Sequence, residues 1–462
     1  MLHHDSDKSD ELLYLVERYE AMSQNGAVGF LEATVFQDLA YFYAGQQDLD
    51  SAEAVIQEGL GQHPFSASLY VTKAFLLKER EQYTEALEML DKASAFDASD
   101  MENTLLRAEI LTQAGAYSEA MSVLDDIAGQ VTSAERVDVH LTRALIYEAQ
   151  RKATSAYREL SNVLRLEPTH QDALERIMVL VEVLECYDNS IKLHDHLTQV
   201  TPYNAGAWFN LGRSYLLAGE RAEAVEAFEY TYIVHPRHKY AYCFRADVLL
   251  EQADYQEALA TCAEGLTNHP EDAELLIIAG RAYDGLAQYD EAIGAYRRAV
   301  ERDPENADAY YHLGEALIET EAYREATTTL ERAARLDARH ESIPAALAEA
   351  YTCLQRYEEA DVQYNRAIEL APESPEPWLN FARYHLEQQS YETALHLLET
   401  ARNHCSAPEL HFAEVACLVL SGLRQEGYNL LMVCMTHHAD RSASLFEFAP
   451  ELQEDSGLRH YL

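Results

Sequence analysis

Residues 208–236 read WFNLGRSYLLAGERAEAVEAFEYTYIVHP, and the spacing inside this stretch decides the fold. Trp208, Leu211, Gly212 and Tyr215 recur at intervals of three and four, the period of a helix with one apolar face. Beyond a short turn, Ala224 and Phe228 do the same. Pro236 closes the second run, since proline cannot continue a helix. The stretch is therefore helix, turn, helix.

The pattern extends outward in both directions. Residues 276–304 supply Gly280, Tyr283, Ala292, Tyr296, Ala299 and Pro304 in the same register. Residues 310–333 supply Tyr310, Leu313, Gly314, Leu317, Ala326 and Leu330. Prolines stand at 168, 202, 236, 270 and 304, each 34 residues after the last; Ala338 interrupts the series and Pro372 resumes it. Pro64 joins the frame once a two-residue shift near residues 130–136 is allowed. Alanine occupies 52, 86, 120, 156, 224, 258, 292, 326, 360 and 394, with Ser190 in the missing slot. A small residue at one point of every repeat marks a close approach of two helices. Tyrosine precedes most of these slots by three residues, from Tyr83 to Tyr391.

The order W-x2-L-G-x2-Y, A-x3-F, P resembles the tetratricopeptide repeat over roughly residues 33–408. That resemblance implies an all-α, right-handed superhelical solenoid of antiparallel helix pairs, with about eleven repeats and a degenerate twelfth. The expected units are 33–66, 67–100, 101–136, 137–170, 171–204, 205–238, 239–272, 273–306, 307–340, 341–374 and 375–408. A degenerate pair at 409–442 follows, its small slot nearer Gly427 than Tyr428. Residues 1–32 are expected to cap the first repeat through Leu12, Leu13, Leu15 and Val16. Residues 443–462, with Leu445, Phe446, Phe448 and Leu452, are expected to cap the last. The fifth unit departs from the pattern, with His194 at a large apolar slot and Met178 at a small one, which makes it a candidate bend. The insertion between the third and fourth units is a second.

Lys and Arg total 35 and Asp and Glu 79, a formal charge of −44. Such a surface repels nucleic acid and anionic lipid and suits a basic or mixed-charge protein or peptide; the same charge also serves solubility. Seven cysteines without a C-x-x-C pair suggest neither a disulfide framework nor a zinc module. The N-terminus lacks the features of a secretory signal and no run of about 18 apolar residues occurs, so the expected location is the cytoplasm.

Catalytic signatures are absent: no G-x-x-x-x-G-K-S/T, no G-x-G-x-x-G after a strand, no H-E-x-x-H and no G-x-S-x-G. Cys434 with His437 and His438 lacks further ligands at a typical spacing and reads as structural. His194 and His196, two apart on a helix, point to different faces. The reading is a non-enzymatic chain with no metal or cofactor.

What remains is surface. The resemblance implies that first helices line a concave groove, which places Phe209, Asn210, Arg213, Asp247, Arg281, Tyr311, His312, Glu315, Asn380 and Arg383 there. Asn210 and Asn380 share a slot that bonds extended peptide backbone in several relatives. The paired lysines and asparagines that clamp a C-terminal carboxylate in other relatives are missing. The ninth position reads Arg213, Asp247, Arg281, Glu315, Glu349, Arg383 in successive units. This alternation predicts ion pairs of Arg213 with Asp247 and of Arg281 with Asp247 or Glu315. The expected function is a scaffold or adaptor that binds polypeptide segments in the groove. The alternative is a regulatory or structural subunit of an enzyme or secretion machine, docking through convex or terminal surfaces.

Overall fold

The computed structural model describes residues 2–24, 29–97, 101–127, 129, 131–132, 134–455 and 457–458. The chain is all-α and forms two compact units, Met1–His235 and Pro236–Leu462. The first unit contains α1 (Leu2–Gln24), α2 (Ala33–Gly45), α3 (Leu49–Gln62), α4 (Ala67–Glu79), α5 (Tyr83–Phe96), α6 (Met101–Gln113) and α7 (Tyr117–Ile127). It continues with α8 (Glu135–Ala149), α9 (Ala153–Leu166), α10 (Gln171–Leu184), α11 (Tyr187–Val200), α12 (Ala205–Ala218) and α13 (Arg221–Val234). The second unit contains α14 (Lys239–Glu251), α15 (Tyr255–Asn268), α16 (Ala273–Gly285), α17 (Tyr289–Arg302), α18 (Ala307–Glu319), α19 (Tyr323–Leu336) and α20 (Ser342–Cys353). Then follow α21 (Tyr357–Leu370), α22 (Pro375–Glu387), α23 (Tyr391–Ala401), α24 (Pro408–Leu420), α25 (Arg424–His438) and the short α26 (Ala443–Phe448).

Several first helices start for a local reason. Among the repeats with a proline two residues ahead of a polar cap are Pro168–His170, Pro202–Asn204, Pro270–Asp272 and Pro304–Asn306. The caps accept hydrogen bonds from the backbone amides of Ala173, Ala207, Leu275 and Ala309, at 3.3, 3.1, 3.1 and 3.0 Å. These bonds satisfy amides that the helix itself leaves unpaired. Second helices start at the recurring tyrosine, as in α15, α17, α19 and α21.

The small slots hold the pairs together. All ten alanines of the series, and Ser190, are fully buried. On the facing helices Gly212, Gly280 and Gly314 admit Phe228, Tyr296 and Leu330; a Cβ on these glycines would lie 2.6, 2.3 and 2.4 Å from those side chains.

Within each unit, first helices touch the first helices of neighbouring repeats, as α16 touches α18 and α18 touches α20. They form the inner layer, and second helices lie outside. The packing changes between the fourth and fifth repeats, where the second helices α9 and α11 also approach each other, while α10 keeps its contact with α12. His194 of α11 is wholly buried there. Its Nδ1 donates to the Ser190 carbonyl at 2.9 Å, and the Ser190 hydroxyl lies 2.7 Å from that of Ser214. The two-residue insertion is absorbed by α8, which starts at Glu135 and packs directly on α6.

At the N-terminus, Val16 and Tyr19 of α1 pack on Phe36 and Leu39, with Leu15 and Met22 beside them. Leu13, expected in that contact, is 47% exposed. At the other end Leu445, Phe448, Ala449, Leu452 and Leu458 join the cluster of Leu410, Ala413, Cys417 and Leu431. Asp455 ties the segment down, accepting from the Gly457 amide at 2.8 Å and pairing with Arg424 at 3.2 Å. Deleting residues 443–462 should uncover α24, at about 1.5–3 kcal/mol for each large buried side chain removed. Light scattering should then show association; a truncated chain as monodisperse as the whole would count against this packing.

Candidate functional site

A groove of about 550 Å³ opens in the second unit between α18, α20 and α22. Tyr311 and Glu315 enter from α18, Ala345, Ala346 and Glu349 from α20, and Asn380, Arg383 and Glu387 from α22. These positions share the inner layer because each lies about a helical turn from the next on its own helix. Tyr364 of α21 reaches in from behind, its ring stacked on Phe381 at 5.1 Å. Four of the expected residues, Tyr311, Glu315, Asn380 and Arg383, are thus brought together.

Their chemistry is mixed. The Tyr311 hydroxyl donates to Glu315 at 2.5 Å, and His312 Nδ1 lies 3.4 Å from the same carboxylate. His312 stacks on the Tyr296 ring at 5.7 Å. Behind it the Tyr296 hydroxyl donates to Asp284 at 2.5 Å. Burial pushes the Asp284 carboxyl up to about 6, although that bond and His312 oppose the shift. The Asn380 amide has no hydrogen-bond partner among the described residues. The Arg383 guanidinium lies 5.7 Å from the centre of the Phe448 ring, so the C-terminal segment reaches a groove residue.

The remaining expected residues stand elsewhere. Arg281 pairs with Asp247 at 2.9 Å, both side chains more than two-fifths exposed. An exposed pair of this kind contributes about 0–1 kcal/mol. In the first unit Arg213 pairs with Glu182 of the preceding repeat at 2.5 Å, and not with the Asp247 expected in the following one. Asn210 is 95% buried, and its amide donates to the Leu174 carbonyl at 2.7 Å. The shared slot of Asn210 and Asn380 therefore has two uses: Asn210 staples α12 to α10, and Asn380 stays free. Phe209 leans on Phe228 at 5.7 Å.

Cys434 is buried while His437 and His438 are exposed, so the three do not converge. One set that the sequence reading missed, Cys243, Asp272 and Glu274, gathers possible metal-ligating atoms. The Lys239 ammonium lies 3.3 Å from Asp272 and 3.1 Å from Glu274 and answers their charge. Burial, together with Glu274 and Asp272, pushes the Cys243 thiol far above its ordinary range, which disfavours a thiolate ligand. Only the fold brings this set together, since Cys243 lies about 30 residues from its partners.

Helix pairs of near-constant length, stacked so that first helices form one layer, define a helical-repeat solenoid. Profiles of the tetratricopeptide repeat match residues 209–273, 307–340 and 345–374, and one of the TPR repeat matches 280–321. The chain is a tetratricopeptide repeat protein.

Among solved structures, yeast Tom70 is similar at 15% identity, covering 93% of this chain and 98% of its own, with a TM-score of 0.42. The Cut9 and Hcn1 hetero-tetramer of the APC/C is similar at 14% identity, covering 94% and 95%, with a TM-score of 0.42. YrrB, described as a TPR protein with an unusual peptide-binding site, is similar at 18% identity over 40% of this chain and 95% of its own, with a TM-score of 0.34. No curated protein matches the chain. Among the described residues no helix is long and apolar enough to cross a membrane.

Proposed function

We propose that this protein is a non-enzymatic scaffold that holds polypeptide segments in the groove of its first helices, in the cytoplasm. The observation that carries the reading is the open groove between α18, α20 and α22, which joins a free amide, aromatic walls and charged side chains of both signs. Such a surface offers backbone hydrogen bonds, apolar contact and charge selection to an extended segment. A basic or mixed-charge partner fits the formal charge of −44. Seven free cysteines, five of them buried, suit a reducing compartment.

The alternative is a regulatory or structural subunit that docks through convex or terminal surfaces; Leu445 and Phe448, buried against the chain itself, are not open to a partner at the C-terminal end. Filling the groove tests the choice. Asn380→Trp should leave the far-ultraviolet circular dichroism unchanged and reduce recovery of co-purifying proteins from native lysate by about tenfold. Recovery unchanged in quantitative mass spectrometry would reject the groove and return attention to the outer and terminal surfaces.

A further inference from the structure

The groove is asymmetric in charge. Glu315, Glu319, Glu341, Glu349, Glu376 and Glu387 line it, against Arg383 as the one cation in its lining. Glu315 is engaged by Tyr311 and His312. Glu319, Glu349 and Glu387 form no ion pair among the described residues.

Arg383 does not neutralise them. Its guanidinium rests over Phe448, its Nε is buried without a partner, and it makes no ion pair among the described residues. Glu349 remains open to solvent. The protein packed around it, and then the charges of Glu319 and Glu315, nevertheless raise its carboxyl above the ordinary range; Arg383 opposes the shift and Glu387 adds to it. The acids are thus held near one another with their repulsion only partly offset by Arg383. Beside them stand Tyr364 and Tyr384, 5.0 Å apart between ring centres, with Ile318, Ala345, Ala346 and Pro377.

Resting on the scaffold reading above, we propose that this groove takes a lysine or arginine side chain of an extended partner segment, its aliphatic stem against the tyrosine and alanine wall and its cation against Glu349, Glu319 and Glu387. A long stem with a charged head matches a groove whose wall is apolar and whose rim is anionic. The cation gains from three carboxylates at once and relieves their mutual repulsion, which two exposed charges on a flat surface would not achieve. A second copy of this chain, itself strongly acidic, is a poor occupant.

The test is selection from a displayed random dodecapeptide library on the full chain, in parallel with the Glu319→Gln, Glu349→Gln double variant. Removing repelling charges should keep or raise the melting temperature, so a fall would itself contradict the electrostatic picture. The expected result is a lysine or arginine at one fixed position of the enriched peptides. Those peptides should bind the double variant about tenfold more weakly, and norleucine at that position should bring the two proteins level. Enriched peptides that compete with Asn380→Trp-sensitive binding but carry no fixed basic position would overturn the cation subsite and leave the scaffold reading standing. Failure to enrich any groove-dependent peptide would overturn both.

Discussion

Gly280→Ala is expected to destabilise the second unit by about 1–3 kcal/mol, the range for overpacking a filled core. The added methyl would meet the Tyr296 ring at 2.3 Å. That ring is fully buried, its hydroxyl is committed to Asp284, and His312 stacks on its face, so it cannot swing aside cheaply. Gly294 supplies the matched control. It lies within α17, is exposed, and a Cβ there would have nothing within 4 Å. Gly294→Ala should therefore stabilise by about 0.5–1 kcal/mol through helix propensity alone. Opposite signs for the two changes in urea unfolding are the expected result. A neutral Gly280→Ala would mean that the close approach of α16 and α17 is looser than described.

His194 should make the first unit acid-sensitive. Burial lowers its pKa from 6.5 to about 4; the Ser190 carbonyl works against that shift and the charge of Arg213 adds to it. Nε2 is buried without a partner, so the imidazole is neutral, with its proton on Nδ1 toward Ser190. Because the folded value lies below the unfolded one, the unfolded chain binds the proton more readily. The contribution to stability is whole above pH 6.5 and is lost as the pH falls from there through about 4. The difference between those values corresponds to roughly 3 kcal/mol. His194→Leu should remove this dependence, while the carboxylates elsewhere titrate alike in both proteins. Urea unfolding from pH 7 to pH 4 should show the variant gaining on the parent as the pH falls. Parallel curves would refute a neutral, buried His194.

The repeat was legible because solenoid packing demands the same residue size at the same point of every unit. A close helix approach needs alanine or glycine, and that need leaves a 34-residue alanine series which no tertiary information is required to read. The prolines and their polar caps are local too, since a helix start depends on its own neighbouring amides. For the same reason the helix pairs, their order and the absence of strands among the described residues could be derived from the chain alone.

The site was less legible. Asn210 and Asn380 occupy one slot, yet the first is bound to Leu174 and the second is free, because the packing differs between repeats and not the register. Arg213 could be placed in its helix but not assigned to Glu182, since a long side chain chooses among several acids within reach. Phe448 sits 65 residues beyond Arg383 in sequence, and only folding the last helices brings the ring under the guanidinium. The turns show the same division. Glu81, Ala253, Ala287, Glu321, Gln355 and Gln389 adopt the left-handed conformation that Gly115 and Gly219 adopt at equivalent points. Nothing in a glutamate or an alanine announces this, and the conformation costs about 1–2 kcal/mol at each. The buried alanine and glycine contacts on either side fix the angle between the helices, and the turn accepts the strain that closing that angle requires.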